Sequence, residues 1–137
     1  MKFSSLCLIL YLFLSCSKDR EERIPDVPVN FRAPLNDPRV THLNSAGAAV
    51  AISGHGVAGI IIYRRPDNAY VAFDRCSSVN PEKKCAVIPD DPSLTATDPC
   101  SGAKFSLHDG TPVKAPAKRP LKQYQVNVTS FEISVYN

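Results

Sequence analysis

The chain has 137 residues, enough for one small domain, and a hydrophobic content of 44% that can supply a core. Its formal charge of +3, from 16 basic and 13 acidic residues spread along the sequence, is too weak and too dispersed to argue for nucleic acid or an anionic membrane surface. Twelve prolines against six glycines, no tryptophan and one methionine describe a loop-rich chain. No long helical periodicity appears after the first twenty or so residues, so all-β is the expected class.

The N-terminus, "MKFSSLCLILYLFLSC", carries one positive charge at Lys2 and an apolar run from Leu6 to Leu14. That run is shorter than the about 20 residues a membrane-spanning helix needs and fits the apolar region of a secretory signal peptide over residues 1–15. Ser15 followed by Cys16 resembles the bacterial lipobox, which implies cleavage before Cys16 and its diacylation. A signal peptide without lipid is the alternative. Two or three acyl chains anchor stably because each buried methylene contributes about 0.8 kcal/mol. The next residues, "SKDREER", read as a solvated mixed-charge spacer. They also resemble the lysine-plus-acidic export tag of surface lipoproteins in some Gram-negative bacteria, which implies surface exposure on the outer membrane; an inward-facing outer-membrane or an inner-membrane lipoprotein is the alternative. "IPDVPVNFRAPLNDP", residues 24–38, has four prolines and no periodicity. Residues 16–39 are therefore expected to be a lipidated cysteine and flexible tether, and residues 40–137 the folded domain.

From Val40 onward, short strands alternate with turns. "AAVAI" (48–52), "GIIIYR" (59–64) and "AYVAFD" (69–74) are β-rich and separated by the turn compositions "SGHG" and "RPDN". At the far end, "QYQVNV" and "FEISVYN" flank Thr129 and Ser130. Val126, Val128, Ile133 and Val135 alternate with polar residues, as a hairpin with one buried face requires. Residues 75–122 hold seven of the twelve prolines and three cysteines, with short strands expected near Ala86–Ile88, Leu94–Ala96 and Ala103–Ser106. The expected architecture is a small antiparallel β-sandwich framework with an inserted, loop-rich subdomain. His55 in "SGHG" is expected to be a solvent-exposed turn residue, and His42 and His108 are read in the same way. Asn127-Val128-Thr129 matches a glycosylation acceptor by chance composition.

The segments "AYVAFDRC", "PCSGAKFSLHDG" and "PVKAPAKRPLKQY" follow, in order, the first cluster-binding loop, the second loop with its turn, and the closing proline-rich run of the Rieske family. Over residues 48–137 the chain resembles that family, and most closely its short single-domain lipoprotein members. The resemblance implies the Rieske-like fold. It also implies a [2Fe–2S] cluster held by two thiolates on one iron and two neutral imidazoles on the other, from C-x-H in one loop and C-x-x-H in the next. Here Cys76 stands at the first cysteine position, Ser78 at its histidine, Asp98 at the second cysteine and Ser101 at its histidine. Three of the four ligands are missing, and a serine hydroxyl, protonated at neutral pH, is a poor substitute for imidazole. The expectation is a degenerate site without cofactor, with a [2Fe–2S] electron carrier as the alternative.

Respiratory Rieske proteins also join the two loops by a disulfide. By that resemblance Cys100 matches one half and Cys85, after an insertion, the other, leaving Cys76 unpaired. An odd thiol in an exported protein keeps Cys76–Cys100 and Cys76–Cys85 open as pairings. Such a bridge would contribute about 3 kcal/mol for a loop of this size. Cys76, Asp98, Cys100 and His108 fit no zinc spacing, and no base is placed beside Cys76 for nucleophilic catalysis. The expected function is a structural or binding role in the cell envelope rather than that of an enzyme. The implied partners are the membrane, through the lipid anchor, and a protein or ligand of unknown identity; nucleic acid is not among them.

Overall fold

The computed structural model describes residues 23–137. The signal peptide expected over 1–15, the lipidation position Cys16 and all but the last residue of the charged run after it lie outside the described residues. No helix among the described residues is long and apolar enough to cross a membrane.

The domain is all-β. Strands β1 (Asn30–Pro34), β2 (Ala49–Ile52), β3 (Ile60–Arg64), β4 (Tyr70–Asp74), β9 (Gln123–Val128) and β10 (Glu132–Tyr136) form one antiparallel sheet in the order β1-β10-β9-β4-β3-β2. Between β4 and β9 the chain builds a second antiparallel sheet from β5 (Ile88–Pro89), β6 (Thr95–Thr97), β7 (Lys104–Ser106) and β8 (Pro112–Lys114). The insertion leaves and returns at adjacent points, since Ala72 pairs with Tyr124 and Phe73 with Gln123.

The continuous run "IIIY" in β3 is explained by burial on both faces. Ile60 and Ile62 join an apolar cluster with Phe31, Val50, Ile133 and Val135. Ile61 and Tyr63 point the other way, into a cluster with Phe73, Val87, Phe105 and Leu107 that ties the framework to the inserted sheet. Because β1 and β2, the two edges of the large sheet, both feed the first cluster, that sheet curls around its own core. The β9–β10 hairpin pairs Val128 with Ile133 and Val126 with Val135, the register its alternation requires.

The tether reading of residues 24–38 requires correction. Asn30–Pro34 is an edge strand in register with Glu132–Tyr136. Phe31 and Ala33 are buried while Asn30, Arg32 and Pro34 face out. Proline is tolerated at the end of an edge strand, where its missing N–H breaks no ladder. The Asn137 side chain reinforces the strand's start, accepting from the Val29 N–H at 2.9 Å and donating to the Val27 carbonyl at 2.7 Å. The alternation spans only two inward positions, one of them alanine, so the prolines mask it.

Strand β1 also corrects His55. Its ring stands edge-on to Phe31, centroids 5.2 Å apart, and it is half-buried rather than exposed. His42 and His108 are exposed. In the insertion, β5 begins two residues later than expected, while Ala86 makes an isolated bridge to Cys76. Strand β8 has no counterpart in the sequence reading.

Candidate functional site

Three loops of the insertion meet at one end of the domain: residues 75–87 between β4 and β5, 98–103 between β6 and β7, and 115–122 before β9. The first has a paired stem. Val87 N–H donates to the Arg75 carbonyl at 2.7 Å and Ser77 N–H to the Cys85 carbonyl at 2.9 Å. Its base is held by Asp74, a fully buried carboxylate at the end of β4. Asp74 accepts from the backbone N–H groups of Val57, Ala58 and Cys76 at 2.7, 3.2 and 2.8 Å, and from the Tyr124 hydroxyl at 2.6 Å. Burial, then the hydrogen bond to Asp74, pushes the Tyr124 phenol above its ordinary pKa, so it stays a donor. Gly56, at φ +65°, passes so close to Asp74 that a Cβ there would clash with the carboxylate.

The second loop is a tight turn that Asp98 organises. Gly102 N–H donates to the Asp98 carbonyl and Asp98 N–H to the Ala103 carbonyl, both at 2.8 Å. The Asp98 side chain accepts from the Cys100 N–H at 2.8 Å, an Asx-type turn, and from the Ser101 hydroxyl at 2.6 Å. It then reaches across to the first loop, where the Ser77 hydroxyl donates to it at 2.7 Å. Burial raises the Asp98 pKa, but the hydrogen bonds from Ser101, Ser77 and the loop N–H groups outweigh it and hold the carboxyl below the ordinary range. Ser78 ties in the third loop, donating to the Arg119 carbonyl at 2.6 Å.

Cys85 and Cys100 are disulfide-bonded with Cα atoms 6.3 Å apart, closing the alternative pairings through Cys76. Cys76 is a buried free thiol whose sulfur lies 3.4 Å from the Pro81 carbonyl oxygen. Burial first, then the Asp74 carboxylate, pushes its pKa up to about 11, so the thiol is protonated at neutral pH and a weak nucleophile.

The four positions that the resemblance marked as ligands, Cys76, Ser78, Asp98 and Ser101, therefore gather at the loop tip, but as donors and acceptors to the protein itself. Both serines spend their hydroxyls on internal acceptors, Asp98 accepts from three internal donors, and the only thiol not in a disulfide among the described residues is protonated. None of the chain's three histidines joins the cluster of ligand-type side chains at the tip: one packs on Phe31 and the other two are exposed. These residues do not fit a [2Fe–2S] cluster, which needs two thiolates and two imidazoles. Cys85, Asp98 and Cys100 place one ligand atom each within 4.8 Å of one another, but with both sulfurs in a disulfide they do not form a thiolate site. Reading the sequence missed Ser77, which carries the bond between loops; the only hint was a second hydroxyl beside Cys76.

No family model matches the chain, and no curated protein does. Solved structures do. The plasma membrane Rieske protein PetC3 from the cyanobacterium Synechocystis PCC 6803 superposes with a TM-score of 0.57 at 21% identity, covering 80% of this chain and 98% of that one. The ferredoxin of carbazole 1,9a-dioxygenase from Nocardioides aromaticivorans IC177 gives 0.52 at 22% identity, covering 80% and 97%. The Sphingomonas yanoikuyae B1 ferredoxin gives 0.50 at 17% identity, covering 68% and 88%. Identities at this level speak for the fold alone, and by fold the described part of this chain is a Rieske-like domain.

Proposed function

We propose that this chain is a cell-envelope lipoprotein, anchored through Cys16 in the bacterial outer membrane, whose Rieske-like domain serves without a cluster as a structural or binding scaffold. One observation carries the clusterless part: Asp98 receives the hydroxyls of Ser77 and Ser101, so hydrogen bonds join the loops where the family's metal ligands would stand. The raised Cys76 pKa weighs against catalysis by that thiol. Fold alone does not decide function. The second reading, an electron carrier, is favoured by the fold neighbours, which are a Rieske protein and two ferredoxins.

One measurement separates the two. Residues 17–137, produced with cluster-assembly machinery present, should contain substoichiometric iron and acid-labile sulfide and show no visible absorption bands. Two irons and two sulfides per chain would establish the electron carrier instead. The anchor is tested by acyl labelling, which should occur in the full chain and vanish in Cys16→Ala; labelling that persists in the variant would refute it.

A further inference from the structure

The dispersed charge of the sequence becomes concentrated at the loop tip. A groove of about 320 Å³ runs between the first described residues and the third loop, with Ile24, Ser78, Pro120 and Leu121 in its lining. Two neighbouring depressions share Arg23, Ser78 and Arg119 with it, so the three form one continuous surface. Arg23, Lys84, Lys118, Arg119 and Lys122 rim that surface. Against these cations stand Glu82 on the rim and Asp26, which pairs with Lys122 at 2.7 Å. The other four cations have no carboxylate partner within salt-bridge distance among the described residues. A cluster of cations with so little opposing charge suits the anionic headgroups of a lipid surface.

The chain's own course supplies the second observation. The described residues begin at Arg23, on this same rim. It stands seven positions after Cys16, with six residues between them, a reach of about 25 Å fully extended. A domain of this length is about 35 Å across, so a lipid on Cys16 would hold the tip within about 25 Å of the bilayer, too short a span for the opposite end to face it. We propose that the loop tip is a docking face for an anionic lipid bilayer, with Arg23, Lys84, Lys118 and Arg119 meeting its phosphate groups. The orientation rests on the Cys16 anchor proposed above; the lipid preference rests on the face alone.

The test uses unlipidated residues 17–137, which contain every described residue, in co-sedimentation with phosphatidylcholine vesicles with and without about a third phosphatidylglycerol. The expected result is partitioning onto the anionic vesicles alone, weakening as salt rises. Each cation near an anionic surface is worth about fivefold in partitioning, so Lys118→Gln with Arg119→Gln should lower it about 25-fold. Arg32→Gln with Arg65→Gln removes the same charge outside the rim; Arg65 sits at the turn end of the β3–β4 hairpin, away from Cys76. That control should change little. Equal binding to neutral vesicles, or an equal loss in both double variants, would overturn the docking face. So would displacement by inorganic phosphate at an ionic strength where chloride has no effect, because the groove would then hold a free anion. Acyl labelling reads the anchor separately: a labelled chain whose unlipidated form ignores anionic lipid rejects the docking face and keeps the anchor. An unlabelled chain that still prefers anionic vesicles does the reverse.

Discussion

Ser77, in the loop after β4, donates its hydroxyl to the Asp98 carboxylate, in the loop after β6, at 2.7 Å with neither residue exposed to solvent. With the Cys85–Cys100 bond beside it, this contact does for the loop tip what a metal centre does in a liganded site: it joins two segments that have little else in common.

If Asp98 is the hub, removing it leaves the Ser77 and Ser101 hydroxyls and the Cys100 N–H without their acceptor. Unpaired buried donors cost about 1–3 kcal/mol each, less where water reaches them. Asp98→Ala should therefore lower the unfolding free energy by about 3 kcal/mol in urea titrations with the disulfide intact. A loss below about 0.5 kcal/mol, the scale of an ordinary surface change, would mean that the hub contributes nothing.

The same carboxyl predicts an acid limb. Its folded pKa is depressed, so its contribution is fully present above the unfolded value of about 4 and is lost as the pH falls through the folded value. The melting temperature should drop as the pH is lowered from 4 toward 2, and Asp98→Asn should flatten that drop. Parallel wild-type and variant curves over this range would assign the acid sensitivity to other carboxylates.

Reducing the disulfide opens a loop closed over a sequence separation of 15, worth about 3 kcal/mol in the chain-entropy account. Cys85→Ser with Cys100→Ser should lower the unfolding free energy from urea titration by that amount. The wild type in dithiothreitol should coincide with the variant. Unchanged stability in both would show that the hydrogen bonds alone hold the loops.

Cys76 should be inert in the native protein. With a pKa near 11 and no solvent exposure, it should react with a disulfide reagent at pH 8 only after denaturation, giving one thiol per chain of residues 17–137. Rapid labelling of the folded domain would restore Cys76 as a candidate nucleophile.

Local patterns were sufficient for part of this molecule. The hairpins at 59–74 and 123–137 are legible because alternation, or an unbroken apolar run, is written into consecutive residues and decides which faces are buried. The substitutions at the ligand positions are equally legible, since a serine or an aspartate cannot supply an imidazole or a thiolate wherever the chain carries it. The tertiary structure alone decided the rest. Phe31 and Ala33 become a strand only because β10, about a hundred residues later, offers them a partner. Among the pairings left open, the fold keeps the Cys85–Cys100 bond that the resemblance implied and leaves Cys76 buried, and Asp98 becomes a hub through Ser77, twenty-one residues away. The cations of the rim, spaced from Arg23 to Lys122, become one face only when three loops converge. Those outcomes depend on contacts between segments far apart in sequence, whose partners are chosen by packing rather than by the residues beside them.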